Sequence, residues 1–235
     1  LGFRKEPTAD SEITESTLYY QPLNNNLEMI GGTDQGFPVF ESGTPQNEFD
    51  MSLSDDGNLF FAFSDVRNYI DKDIYLQKYN NFDPVFAEPI LLIDNFFVDD
   101  ELKYISTTPS NGCFITYNSA AIGGTRANAI LVDSDGNIIG ESIRLSTVEH
   151  DQFIKGLVKT VLGFFVIWED YRSSSADIYG QLVAFDGTIL GPEGGIPIAT
   201  ATNDQLKPSI TYNSILDEIM VCWEDFRNGL DYDIY

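Results

Sequence analysis

The sequence predicts an all-β chain folded as a β-propeller of about four visible four-stranded blades, and three observations carry that prediction. One signature recurs: Phe63-Ser-Asp-Val-Arg67 … Asp73-Ile-Tyr-Leu-Gln77, then Trp168-Glu-Asp-Tyr-Arg172 … Asp177-Ile-Tyr-Gly-Gln181, then Trp223-Glu-Asp-Phe-Arg227 … Asp233-Ile-Tyr235. Its spacing is regular. Trp168 and Trp223 are 55 residues apart, and the 105 residues from Phe63 to Trp168 divide at Tyr117 into steps of 54 and 51. Finally, no segment sustains a helical period, and Pro and Gly interrupt the chain too often for long helices. Tandem units of roughly 40–55 residues with four short strands each are the mark of propeller blades. A β-sandwich is the runner-up, but it predicts no tandem copy of a whole four-strand unit.

Taken in order, residues 1–17 read as a polar lead and residues 18–235 as propeller repeats, with approximate blades at 24–80, 81–134, 135–186 and 187–235. Leu18-Tyr-Tyr-Gln-Pro-Leu23 aligns with Ile178-Tyr-Gly-Gln-Leu-Val183, the outer strand of a blade. The second copy keeps only the hydrophobic frame, Cys113-Phe-Ile-Thr-Tyr117, and loses the acidic signature from Asn118 onward. The last unit is the clearest: Ile196-Pro-Ile-Ala199, Pro208-Ser-Ile-Thr-Tyr212, the apolar run Ile219-Met-Val-Cys-Trp223 of a strand buried on both faces, and Asp233-Ile-Tyr235 after a turn-rich loop. The third copy completes that final strand and turns at Asp186-Gly187. Leu18–Leu23 and Asp233–Tyr235 claim the same place in a blade, so the expectation is a larger ring in a longer chain or assembly.

The copied positions have mechanical roles. The aromatics Phe63, Tyr117, Trp168 and Trp223 should wedge between blades. Asp65, Asp170 and Asp225 should accept backbone N–H groups on a turn, while Arg67, Arg172 and Arg227 reach a carboxylate, with Asp73, Asp177 and Asp233 the expected partners. Groups that recur in every blade are architectural first, because one substrate meets one site.

With 37 acidic and 13 basic residues the net charge is −24. That excludes nucleic acid and an anionic membrane surface as partners, and no run approaches the ~18 apolar residues of a membrane span. The 17 Phe, 12 Tyr and 2 Trp can fill a core. The single His150 rules out a multi-histidine metal site within the chain. Cys113 and Cys222 sit on opposite faces of equivalent strands and are expected to be two buried free thiols. Asp133-Ser-Asp-Gly-Asn137 and Asp55-Asp-Gly-Asn58 resemble the start of a calcium loop, but Glu141 comes too early for the bidentate ligand, and both read as hairpin turns. Gly123-Gly-Thr-Arg126 and Gly31-Gly-Thr-Asp34 precede no helix and are not phosphate loops. Glu149-His150-Asp151 reads as a solvated loop. No catalytic residue, cofactor or metal is assigned.

The pattern acidic-Asp-x-Arg, short loop, Asp-Ile-Tyr-x-Gln resembles the TolB-type β-propeller repeats, in the long-blade Trp-Glu-Asp-x-Arg variant of bacterial secreted and cell-surface proteins. The resemblance runs from about residue 18 to the end and is weak over 85–137. It implies a propeller scaffold at a secreted or cell-surface location. The function expected from this reading is protein interaction, scaffolding or adhesion without enzymatic activity, with a protein or a surface glycan as partner. Loops rich in Asn, Asp and Tyr would make the contact (Asn24–Asn26, Tyr69, Asn80-Asn81, Tyr171, Asn228, Tyr232), and the divergent stretch 118–127 is a candidate contact. The alternative is a carbohydrate-active enzyme or carbohydrate-binding propeller with acids on the ring axis. It asks for acids of different blades converging at ~5–10 Å in an open pocket.

Overall fold

The computed structural model describes residues 2–4, 17–31, 36–67 and 70–235, and every helix or strand element among them is a strand. The first sheet holds β1 (Gly2–Arg4), β2 (Leu18–Tyr20) and β3 (Phe37–Pro38). The second holds β4 (Gln46–Leu53), β5 (Asn58–Asp65), β6 (Asp73–Asn80), the two-residue β7 (Asp83–Pro84) and β8 (Ile90–Ile93). The third is β9 (Asp100–Thr107), β10 (Cys113–Ala121), β11 (Gly124–Val132) and β12 (Ile138–Arg144). The fourth is β13 (Gln152–Lys159), β14 (Gly163–Asp170), β15 (Asp177–Ala184) and β16 (Ile196–Ala199). The last is β17 (Gln205–Asn213), β18 (Glu218–Asp225) and β19 (Asp233–Ile234). All pairings are antiparallel and, apart from β8 on β6, between chain neighbours, which is the blade meander. Three blades are therefore complete: the sheets of β4–β8, β9–β12 and β13–β16. Each closes on a short outer strand; Ile196–Ala199 hydrogen-bonds to β15 and so ends its unit rather than opening the next.

The first strands of successive sheets, β4, β9, β13 and β17, lie side by side and form the inner wall of the arc. Each is bulged at one place, leaving Glu48, Lys103, Lys155 and the Lys207-Pro208 pair without a cross-strand partner. A bulge bends the strand and re-aims its side chain. Blades are stitched there by the residue after each aromatic marker. Ser64 Oγ accepts the N–H of Leu102 (3.0 Å), Asn118 Oδ1 that of Ile154 (3.1 Å) and Glu169 Oε1 that of Lys207 (2.7 Å). The markers wedge as expected: Tyr117 packs with Phe60, Ala62 and Ile74 of the preceding sheet, and Trp168 with Phe114, Ala127 and Leu131. Phe114 and Phe164 stack across that boundary with centroids 4.4 Å apart.

The signature is a fastener, with one change of partner. Each arginine pairs with the first aspartate of its own copy, not the second: Arg67–Asp65 at 2.8 Å, Arg172–Asp170 at 2.6 Å, Arg227–Asp225 at 2.5 Å. The guanidinium then lies over the tyrosine of Asp-Ile-Tyr, 3.8 Å from Tyr75 and Tyr179 and 4.0 Å from Tyr235. Where the marker is Trp, its Nε1 donates to the same aspartate, at 2.8 Å (Trp168) and 2.9 Å (Trp223). Asp177 and Asp233 instead accept from Ser173 and Asn228, inside the loop. The cysteine expectation is corrected in half: Cys113 is buried, and burial pushes its thiol up, but Cys222 is exposed because, among the described residues, no sheet covers that face of β18. Tyr69 and Gly32–Asp34 lie outside the described residues.

Candidate functional site

The site begins with the blade that breaks the pattern. In the complete sheets on either side, the second and third strands are joined by the long signature loops 66–72 and 171–176. In the third sheet that loop is gone. Ala121 pairs directly with Gly124 across a tight hairpin. Gly124 has φ +126°, and a Cβ there would sit 2.7 Å from the Asp151 nitrogen, so only glycine fits. Arg126 occupies the vacated place, donating to the carbonyls of Ile122 (2.8 Å) and His150 (3.1 Å). Asp151 Oδ1 accepts the N–H of Thr125 at 2.7 Å. The Glu149-His150-Asp151 stretch thus ties the hairpin down through the His150 carbonyl and the Asp151 carboxylate.

With the loop removed, the rim at that blade is low and a cleft of 230 Å³ opens on the inner wall, lined by Asp99, Glu101, Asn118, Ala120, Thr125 and Phe153. A second cleft of 450 Å³ shares Asp99 and is lined by Gly43, Thr44, Pro45, Val66, Ile70, Asp71, Lys72 and Asp99. Asp99 and Glu101 are two residues apart where the chain enters β9, and both line the smaller cleft. Asn118 lines the cleft but is spent on the stitch to Ile154 and on the Gln152 and Arg126 carbonyls.

One lysine organises the acids. Lys72 Nζ holds Glu48 at 2.9 Å and Glu101 at 4.0 Å, across the boundary between two blades, while its N–H donates to Asp99 (3.0 Å). Partial burial works against the Lys72 charge, but the Glu48 bond and the Glu48, Glu101 and Asp99 charges outweigh it and raise its pKa. The bond from Lys103 Nζ (2.8 Å) holds Glu101 below the usual carboxylate range; partial burial opposes this and Lys72 adds to it. Glu101 is therefore an ionised, half-exposed carboxylate at the cleft mouth.

The loop that delivers Asp99 carries two aromatics on its tip, Phe96 at 67% and Phe97 at 73% exposure, with ring centroids 4.1 Å apart. Phe97 has φ +65°, a left-handed conformation that costs a non-glycine residue ~1–2 kcal/mol. Anchors on both flanks hold it: Val98 N–H to Asp71 Oδ2 (3.0 Å), and Asn95 Nδ2 to both oxygens of Asp100 (3.0 and 3.1 Å). Across the cleft, Phe153 meets Tyr171 edge-on at 5.7 Å. Of these residues, Asn118 and Thr125 fall in the divergent stretch 118–127 and Tyr171 among the sequence candidates. Phe96, Phe97, Asp99, Glu101 and Phe153 were missed. The available signal was a Phe-Phe pair in an otherwise polar Asp/Asn loop.

The two calcium-like stretches are hairpin turns closed by their own aspartates. Asp133 Oδ1 accepts the N–H groups of Asp135 (2.9 Å) and Asn137 (2.8 Å), and Asp56 accepts from Ser54 and Asn58. No cluster of three or more metal-ligating side chains occurs among the described residues.

No protein-family model and no curated protein sequence matches the chain. Among solved structures it is similar to an endo-arabinase from Bacteroides thetaiotaomicron VPI-5482, at 10% identity and a TM-score of 0.47, over 94% of this chain and 84% of that one. It is also similar to a thermostable family-43 glycoside hydrolase, at 14% identity and a TM-score of 0.44, over 71% of this chain and 62% of that one. The expectation of an adhesion or scaffolding module without enzymatic activity is corrected here. The endo-arabinase and the family-43 enzyme are both glycoside hydrolases, the class that the alternative named. Such a likeness is one of fold alone; the chemistry rests on the chain's own residues.

Proposed function

We propose that this chain is a carbohydrate-active propeller that grips a glycan at the mouth of the inner wall, over Asp99, Glu101, Thr125 and Phe153. The observation that carries it is the coincidence of the broken repeat with the cleft: the blade that lost its signature loop is the one where carboxylates, a hydroxyl and an aromatic ring become accessible together. Carboxylates and hydroxyls bind sugar hydroxyls, and an aromatic face packs against the C–H side of a pyranose or furanose ring. Phe96 and Phe97 extend that apolar platform beyond the cleft. Hydrolysis of a glycosidic bond needs two carboxyl groups ~5–9.5 Å apart. Asp99 and Glu101, which line one cleft, are the carboxyl pair proposed for it. Glu101, kept ionised by Lys103 and Lys72, suits the activation of water or the stabilisation of positive charge on the sugar, with Asp99 as the second carboxyl group of the pair. A secreted or cell-surface location and kinship with TolB-type repeats belong to the same proposal.

A panel of soluble polysaccharides, scored by calorimetric binding and by reducing-end release, tests it. Release should vanish in Glu101→Gln and Asp99→Asn while binding persists, and Phe153→Ala should weaken binding. A panel that gives neither binding nor release overturns the reading, as does release indifferent to both acid substitutions.

A further inference from the structure

The inner strands carry a second repeat, and one blade reverses its sign. At their bulges, β9, β13 and β17 each place a lysine: Lys103, Lys155 and Lys207. Each ammonium is paired within its own sheet, with Glu101 (2.8 Å), Glu169 (3.2 Å) and Glu224 (3.1 Å). A pair that recurs in this way is architectural, like the signature fastener. β4 departs from it. Its bulge holds Glu48, and Ser64 stands where Glu169 and Glu224 follow the aromatic marker of the later sheets. The bulges are needed to see this, because Glu48 and Lys207 lie two residues after Gln46 and Gln205 but Lys155 lies three after Gln152.

A second departure in the same sheet answers the first. The residue before the Asp-Ile-Tyr aspartate is Lys72, where the other copies have Ala176 and Tyr232. The two changes are opposite in charge and meet: Lys72 Nζ donates to Glu48 Oε1 at 2.9 Å. The same ammonium stands 4.0 Å from Glu101 Oε1 of the next blade, beyond hydrogen-bond distance. It is thus shared unequally, and Glu48 has the larger part. The other Glu48 oxygen is buried without a hydrogen-bond partner, and among the described residues no second cation pairs with this carboxylate. The charges around Glu101 are Lys103 and Asp99 from its own segment and Lys72 and Glu48 from the sheet before. Across the cleft, Asn118, Thr125 and Phe153 bring none; Asp151 stands behind Thr125, bound to its N–H, and Lys155 is paired with Glu169.

We propose that Glu48 is a positioning residue for the cleft: it holds Lys72 back from Glu101 and so sets the basicity of that carboxylate across a blade boundary. The proposal rests on the reading of Glu101 as the ionised member of the carboxyl pair. Neutralising Glu48 removes a like charge and frees the ammonium to close on Glu101, and both effects favour the carboxylate. Removing the ammonium leaves Glu101 facing Glu48 with no cation between them, which favours the acid. Two neighbouring substitutions therefore push one group in opposite directions.

A titration of the side-chain carboxyl carbons by NMR tests this without any substrate, with the Glu101 signal assigned by its loss in Glu101→Gln and each variant checked for an unchanged thermal melt. The Glu101 midpoint should fall in Glu48→Gln, rise in Lys72→Met, stay near wild type in Lys72→Arg, and lie between the two single variants when Glu48→Gln and Lys72→Met are combined. Lys207→Met, at the equivalent bulge of the last sheet, should not move it. The acid limb of polysaccharide release should shift in the same directions. A midpoint that rises or stands still in Glu48→Gln overturns the proposal, as does one that Lys72→Met fails to raise. Midpoints that move as expected while release ignores them uphold the role of Glu48 and remove Glu101 from the chemistry. Release that is lost in Glu101→Gln, with a midpoint indifferent to both substitutions, keeps the catalytic reading and sinks this one.

Discussion

Replacing Asp170 by alanine should be among the most damaging single changes in the molecule. Its carboxylate is fully buried and takes hydrogen bonds from Trp168 Nε1 (2.8 Å), from the Arg172 N–H (3.0 Å), and from Arg172 Nε (2.7 Å) and Nη2 (2.6 Å). Burial alone would raise the pKa of this group; the Arg172 fork and the Trp168 bond overcome it and hold the carboxyl below its ordinary value. Its truncation leaves a mostly buried guanidinium, a buried indole N–H and a turn N–H without their acceptor. Breaking a buried pair by removing one partner costs about 3–5 kcal/mol, which for a chain of this size is a fall of ~6–20 °C in melting temperature. Asp225→Ala removes the same bonds from the last sheet, where Arg227 is partly open to water. Solvent then takes over the lost contacts, and the loss should be clearly smaller. Urea unfolding followed by fluorescence of the two Trp residues measures both on one scale. Equal losses for the two substitutions, or a loss under ~1 kcal/mol for Asp170→Ala, would refute the claim that burial within the blade stack gives the fastener its strength.

Three further outcomes follow from particular residues. Asp73 sits among Asp94, Asp71 and Asp100, and burial followed by those charges raises its carboxyl to about 6; since the folded state then disfavours the carboxylate, its destabilising effect is full above that value and fades as pH falls toward the unfolded value. Asp73→Asn should therefore raise the melting temperature at about pH 7.5 and raise it less at about pH 4, and a pH-independent effect would contradict this. Phe97→Gly should leave stability within ~1 kcal/mol of wild type, because relief of the left-handed strain offsets the extra freedom of the unfolded glycine, while glycan affinity falls; a large loss of stability would show the ring to be structural. Gly124→Ala should cost more than ~1 kcal/mol, since it combines a positive φ with a Cβ pressed on the Asp151 backbone, and calorimetry of the variant reads that directly.

The architecture was legible because a repeated unit writes the same constraint several times. Phe63, Trp168 and Trp223 with their Asp-x-Arg partners recur at one spacing, and the apolar run Cys113–Tyr117 kept the frame of the copy whose polar signature had gone. The partner of each arginine was misassigned because sequence distance does not report loop curvature. The turn after the second strand folds Arg172 back onto Asp170, two residues away, and leaves Asp177 to the serine of the loop. Cys222 was misplaced for a related reason: an apolar strand pattern tells which residues alternate between faces, not whether a neighbouring sheet is present to cover them.

What the sequence by itself determined, then, is the blade: its strands, its aromatic wedge and its Asp–Arg–Tyr fastener, all set by local periodicity and turn chemistry that every copy restates. The candidate site was decided only in three dimensions. Glu48, Lys72, Asp99, Glu101 and Phe153 are spread over more than a hundred residues and belong to three different sheets or their connections. None breaks the pattern of its own segment. They meet because bulged inner strands turn their side chains to a common wall, and because one shortened hairpin lowers the rim in front of them.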